Sequence, residues 1–308
     1  MVDSTIKDTH GVIWEIKQNK FLYLMLLPGI LFYIIFHYVP MYGAIIAFKD
    51  YSPILGIMHS EWVGFKHFES FFKSAYFVRV LKNTLGLSIY GLLAGFPVPI
   101  ILALLLNEIG CSWFKKTVQT VTYIPHFISI VVFSGMIVNF TMQNGLINVL
   151  LSYFGFERTN LLLKPELFKS IYVWSDIWQQ AGWNSIIYIA ALSSIDQELY
   201  EAATLDGANR FQQTLHVTLP GISSTITVLL ILQIGGIMNI GFEKVILLYN
   251  SMNMETADII SSYVYRKGII NNNFSFSTAI GLFNSAVNLI LLITANFISK
   301  RVSENSLW

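Results

Sequence analysis

The chain has 308 residues, of which 54% are hydrophobic and 12% charged, against about 25% charged in an ordinary soluble domain. That balance excludes a soluble globular protein of this length and predicts an integral membrane protein. A formal net charge of +1 gives no basic face for a nucleic acid, and the single cysteine, Cys111, excludes an intrachain disulfide.

Residues 1–20 are polar and read as a cytosolic tail, because the apolar run behind them is too long for the core of a signal peptide. Residues 21–48 hold no Asp, Glu, Lys or Arg, ample for a span of about 20 residues. Pro28 and Pro40 are tolerated inside it where neighbours satisfy the freed carbonyls. Residues 49–82 form an outer loop. Across 63–85, Phe68, Phe71, Phe72, Phe77, Val78 and Leu81 fall on one helical stripe, with Lys66, Glu69, Lys73 and Lys82 off it. That pattern predicts a helix lying in the interface plane and anchored in lipid.

Residues 83–299 then hold five further spans. The run 83–107 is uncharged; 117–140 is a span stopped by TMQNG, with LINVLLSYFGF behind it as a short surface helix. The run 170–195 is less apolar and contains one carboxylate, Asp176, and two more runs lie at roughly 221–242 and 276–299. Residues 300–308 form a second tail on the same side as the first. The fold class is therefore all-α with six transmembrane helices, both termini on one side, and no repeat unit of solenoid type. Lys and Arg number eight on the terminal side and eleven on the other, so the positive-inside rule does not decide orientation. Lys115–Lys116 and Lys300–Arg301 lean toward a cytosolic 196–220 loop.

The span 170–195 carries the most unusual polar content. In YVWSDIWQQAGWNS, Asp176, Gln179, Gln180 and Trp183 fall at i, i+3, i+4 and i+7, beside Trp174, Trp178 and Asn184. Aromatic planes and amides suit a sugar, and an ionisable group inside a membrane is a functional candidate. The same residues also serve as interfacial belts and as glue between helices. In LQIGGIMNIG, Gln233, Gly235, Gly236 and Asn239 offer a second polar, close-approach face. His37, His126 and Asn284 read as hydrogen-bonding residues within the bundle.

Residues 194–220 form a polar loop between two apolar runs. Ser194 with Gln197 matches a capping box, and Asp196 and Glu198 favour the positive end of the helix that follows. That helix stops at Gly207, and Asn209 with Gln212 caps a second one that ends before Pro220. Ala202 and Ala203 permit close approach, and Glu201 offers a charge to a partner's arginine. On these grounds alone, a coupling surface and a well-capped surface loop stand equal. The chain has no GxxxxGK[ST], HExxH or CxxC motif, so no cofactor or metal is expected on it and its energy must come from a partner.

EAATLDGANRFQQTLHVTLP resembles the signature of binding-protein-dependent ABC importer permeases: Glu201, Ala202, Ala203, Gly207, Leu219 and Pro220 match, Asp206 and Ala208 fit, and Val217 replaces a commoner Ile. FLYLMLLPGILFYIIFHYVPMYGAIIAFKDYSP and VGFKHFESFF…VLKNTL, with Asn83-Thr84-Leu85, look like the subgroup importing complex oligosaccharides, including the alginate-importer type. The resemblance implies a type I ABC importer permease fold of the maltose-importer kind in the bacterial cytoplasmic membrane. It implies a second homologous permease, two ATPase subunits holding ATP and Mg, an extracytoplasmic solute-binding protein and a saccharide substrate. It makes Glu201, Ala202, Ala203, Asp206, Gly207, Ala208, Leu219 and Pro220 the ATPase-coupling residues of a cytosolic loop, with both tails on that side, and it favours Gln233 and Asn239 as substrate contacts. A permease for another solute is the alternative. A membrane enzyme would need paired carboxylates or a nucleophile with its base, and an ion-coupled carrier would need several intramembrane carboxylates or inverted repeats.

Overall fold

The structure, a computed structural model, describes residues 18–302, so the two expected tails lie for the most part outside the described residues. The first helical stretch, α1 (Lys20–Phe48), is continuous through Pro28. Beside Pro40, which has no N–H to give, the turn Ile34–Tyr38 is π-helical and Val39 N–H reaches back to Ile34 O. Through Tyr42 the stretch is exposed on all sides. A two-residue antiparallel pair, β1 (Lys49–Asp50) with β2 (Glu61–Trp62), then closes the loop that follows α1.

The 63–85 stripe differs from expectation. It splits into α2 (Lys66–Phe72) and the first turns of α3 (Phe77–Glu108), with a turn between them. The stripe divides: Phe71 is 1% exposed, its ring 5.0 Å from Phe77 and 5.8 Å from Phe283, while Phe72 and Val78 remain exposed. Apolar spacing shows that a face avoids water, but not which neighbour covers it.

The run expected as one span over 117–140 is also broken. α4 (Ser112–Tyr123) ends where Pro125 opens a tight 3₁₀ turn, and Ser129 caps α5 (Ile130–Thr141) by accepting from Val132 N–H. The surface helix is α6 (Leu146–Ser152). Asn148, almost wholly buried, pins it by donating to Thr141 O and Thr159 O.

Next come the central helix α7 (Phe168–Leu192), the loop helices α8 (Gln197–Leu205) and α9 (Arg210–Gly221), and α10 (Ser223–Gly235), bent from α9 by 60°. The fifth apolar run is therefore not one helix to residue 242. It unwinds at 236–241 and resumes as α11 (Phe242–Leu248). α12 (Ile260–Tyr265) and the long α13 (Phe274–Val302) complete the chain.

Among the described residues, four stretches are long and apolar enough to cross a membrane (α1, α3, Ile130–Ser152 and Phe274–Arg301), and the bent α9–α10 pair makes a fifth. α7, at about 37 Å from 25 residues, is long enough too. It falls short in apolarity because one stripe, including Tyr172, Ser175, Gln179, Gly182 and Ser185, is buried in protein rather than lipid. The architecture is compatible with six crossings.

On the face opposite the α8–α9 loop, α3 is tied to the segment before α12. Asp258, with no exposed side-chain surface, pairs with Arg266 at 2.6 Å and Arg79 at 3.3 Å. Asn83 donates to Glu255 O and Asp258 O, and Thr84 Oγ1 accepts from Ile260 N–H. These bonds give the Asn83–Thr84 pair its structural work.

Candidate functional site

α7 crosses the bundle close to its neighbours because Gly182 lets it. A Cβ there would lie 2.1 Å from Thr122 O of α4. Beside this crossing, α3, α7, α10 and the 236–241 segment enclose a cavity of about 490 Å³. Asp176, Gln179, Gln180 and Asn184 of α7 line it, as do Gln233, Asn239, Glu243 and Lys244 from the later elements.

The unwound segment has its backbone satisfied from three sides. Ser88 of α3 donates to Ile237 O, Asn288 Oδ1 of α13 accepts from Met238 N–H at 3.0 Å, and Tyr172 Oη donates to Gly241 O at 3.3 Å. Asn284 of α13 donates to Asn239 Oδ1 at 3.0 Å. Irregular backbone at membrane depth survives only with such partners, and it survives where it borders a cavity. Gly235 and Gly236 mark the break, and Gly235 faces the Leu292 side chain at a distance only a glycine tolerates without movement.

Lys244, absent from the expected site residues, sets the electrostatics. It is 2% exposed. Its ammonium donates to Asp176 Oδ1 at 3.2 Å and to Tyr172 O at 3.1 Å, and it lies over the Tyr172 ring at 4.5 Å. Asp176 keeps half of its side chain open to the cavity. A lysine inside FEKVILL was a visible signal; its pairing with Asp176, 68 residues earlier, was not.

The other expected residues separate. Gln179 is 3% exposed and donates to Ile128 O, a carbonyl in the break between α4 and α5, so its amide joins helices as well as bordering the cavity. Gln180 Oε1 lies 2.8 Å from His126 Nδ1, which therefore carries the proton. Trp183 is not on the cavity wall: its ring stacks on His126, centroids 4.3 Å apart and 1° from parallel, with Phe127 edge-on at 5.4 Å. Trp174 donates its indole N–H to Tyr90, and Trp178 packs on Phe133.

The α8–α9 loop is a separate, exposed feature. α8 is capped by Asp196, whose Oδ1 accepts from Glu198 N–H at 3.0 Å. The expected cap, Ser194, instead gives its hydroxyl to Ala191 O within the last turn of α7. At the far end Gly207 has φ +80°, with its N–H on Thr204 O and Ala208 N–H on Ala203 O, the Schellman pattern. Asn209 and Gln212 form a reciprocal capping box on α9. Arg210 pairs with Glu108 at the end of α3, at 3.2 Å. Glu201 is exposed and in no ion pair among the described residues, and Leu205 and Phe211 are 90% and 76% exposed. Ala202, Asp206, Gly207 and Pro220 are exposed, while Ala203, Ala208 and Leu219 are half-buried beneath them.

Residues 95–304 match the family described as binding-protein-dependent transport system inner membrane component. The polygalacturonan/rhamnogalacturonan transport system permease protein YteP of Bacillus subtilis (strain 168) is 51% identical over 295 residues, 96% of this chain and 92% of its own length. Protein LplB of the same organism is 48% identical over 301 residues, 97% and 95% of the two chains. A solved bacterial ABC transporter involved in the import of the acidic polysaccharide alginate superposes with a TM-score of 0.87 at 46% identity, over 94% of this chain and 99% of that one. A bacterial alginate ABC transporter in complex with an alginate pentasaccharide-bound periplasmic protein gives 0.88 at 44%, over 96% and 99%. With its apolar helices, its cavity and these matches, the chain belongs to the family of binding-protein-dependent transport system inner membrane components.

Proposed function

We propose that the chain is the permease subunit of an ABC importer that moves oligo- or polysaccharide across the bacterial cytoplasmic membrane by ATP-driven alternating access. The observation that carries this reading is the unwound 236–241 segment bordering a polar cavity. Carriers place substrate at breaks of this kind, where two parts of the bundle rock about a fixed site. Sugar hydroxyls both donate and accept. The amides of Gln180, Asn184, Gln233 and Asn239 answer both needs, and the Asp176 and Glu243 carboxylates accept. The relatives named for polygalacturonan, rhamnogalacturonan and alginate favour a saccharide over another solute. Substrate lining falls to Asp176, Gln179, Gln180, Asn184, Gln233 and Asn239, with Trp183 acting from outside by seating His126 against Gln180.

The chain itself supplies no ATP site; two ATPase subunits, with ATP and Mg, drive the cycle. Glu201, Ala202, Ala203, Asp206, Gly207, Ala208, Leu219 and Pro220 build the coupling loop. The exposed Leu205 and Phe211 support docking there, since apolar side chains this exposed on a polar loop gain most from a covering partner. A second homologous permease completes the cavity and covers the part of α1 through Tyr42, which stands clear of this chain's own bundle. An extracytoplasmic solute-binding protein delivers the saccharide on the opposite face. In this orientation both termini are cytosolic.

The test is reconstitution with the partner subunits and binding protein in proteoliposomes offered oligogalacturonides or alginate oligosaccharides. ATP-dependent uptake is expected, and it is lost in Gln233→Ala and Asn239→Ala while assembly persists. Parental uptake in both variants moves the site elsewhere, and no uptake of either saccharide overturns the substrate class.

A further inference from the structure

α8 has no fully buried residue of its own, and only Tyr200 and Ala203 are half-buried. A closed ring of hydrogen bonds ties it to α9. Tyr200 Oη lies 3.1 Å from Thr218 Oγ1, and Thr218 Oγ1 lies 3.3 Å from Gln213 O. A hydroxyl has one proton, and a carbonyl only accepts. Thr218 therefore donates to Gln213 O and accepts from Tyr200. From Gln213 the ring returns to α8: its Nε2 donates to Thr204 Oγ1 at 3.0 Å and to Ala208 O at 3.2 Å, and Thr204 Oγ1 donates to Tyr200 O at 2.7 Å.

The ring depends on local backbone geometry. Pro220 has no N–H, and the turn Thr214–Thr218 before it is π-helical, with Leu219 N–H bonded to Thr214 O. The widened turn brings Thr218 Oγ1 over the carbonyl five residues earlier. Thr218 is 2% exposed, shielding this junction from competing water. At the end of α9, Gly221 is seated on Ile195, where a Cβ would lie 2.9 Å from Ile195 Cδ1. None of the four ring residues belongs to the exposed group Glu201, Leu205 and Phe211.

We propose that the Tyr200–Thr218–Gln213–Thr204 ring is a transmission clasp. It makes α8 and α9 one rigid piece, so that displacement of α8 by the ATPase passes through α9 into α10 and reaches the cavity at Gln233. The four residues are positioning residues: Thr218 is buried, and Tyr200 and Gln213 are half-buried between the two helices. The inference rests on the reading above that α8 docks on an ATPase.

The experiment uses the complete assembly in proteoliposomes and a thiol probe, independent of the saccharide. In a Cys111→Ser background, Gln233→Cys places one thiol on the cavity wall, and its rate of modification by a methanethiosulfonate reagent is measured with and without ATP and vanadate. The parent shows a nucleotide-dependent change in rate. Tyr200→Phe and Thr218→Val reduce that change by about 2-fold or more, the effect expected where coupling energy is lost along the path, while the ATPase co-purifies in parental amount. Thr218→Ser keeps the hydroxyl and keeps the response. A full nucleotide response in both Tyr200→Phe and Thr218→Val overturns the clasp. So does loss of ATPase co-purification in those variants, which makes the ring part of the dock. If the parent chain binds no ATPase at all, the docking reading falls first and the clasp falls with it.

Discussion

Lys244 Nζ and Asp176 Oδ1 lie 3.2 Å apart across the cavity wall, but their surroundings are unequal: the lysine side chain is 3% exposed and the aspartate 50%. Removing one partner of a buried pair is costly because the other charge is left without compensation. Here that cost falls mainly on the lysine. Asp176→Asn leaves a buried ammonium with only neutral acceptors, the new amide oxygen and Tyr172 O, and no counter-charge, a loss of about 3 kcal/mol for a pair half open to the cavity. Lys244→Met leaves a carboxylate that the cavity solvates, and destabilises less. The double variant recovers part of the Asp176→Asn loss. Thermal unfolding of the three purified variants in detergent checks this order; equal losses in the single variants, or a double variant no better than Asp176→Asn, would contradict it.

Gly182 sets the approach of α7 to α4. Gly182→Ala puts a methyl 2.1 Å from the Thr122 carbonyl oxygen, a backbone atom that cannot rotate away. The helices must part, at about 1–3 kcal/mol, and the Gln180–His126 bond beside the crossing stretches. Gly135 of α5 is the control, since a Cβ there meets nothing within 4 Å. Detergent stability should fall for Gly182→Ala and hold for Gly135→Ala; the same loss in both would remove the crossing argument.

Asp258 compensates two guanidiniums at once, Arg79 and Arg266, with no solvent on its side chain. Asp258→Asn leaves both cations without their carboxylate and should cost about 3–5 kcal/mol, loosening the segment before α12 from α3. Hydrogen exchange at residues 255–262 should quicken in this variant. Unchanged protection there would show that Asn83 and Thr84 alone hold the segment.

The parts legible in the sequence were those set by neighbours along the chain. Gly207, Asn209 and Gln212 read correctly because a left-handed stop and a capping box need only a few consecutive residues. Ser194 misled for a related reason: two side chains competed for the same helix start, and Asp196 took it while Ser194 bonded backwards to Ala191 O. Apolar runs located the membrane stretches but not their breaks at Pro125 and 236–241. There the broken backbone survives on side chains from distant elements, Gln179 for Ile128 O and Ser88 and Asn288 for 237–238. Helical spacing put Trp183 on the same face as Asp176, and stacking on His126 took it off the cavity wall. Pairings such as Asp176 with Lys244 exist only once the bundle has formed.

Glu201 stands exposed on α8 with no ion pair among the described residues, and the proposed importer depends on that helix gripping an ATPase. Glu201→Lys reverses the charge at the middle of the dock without touching the fold. The decisive measurement is saccharide-stimulated ATP hydrolysis by the reconstituted assembly carrying this substitution. Stimulation should be lost, with the ATPase either absent from the assembly or bound and unresponsive. Stimulated hydrolysis at the parental rate would contradict the coupling role of α8.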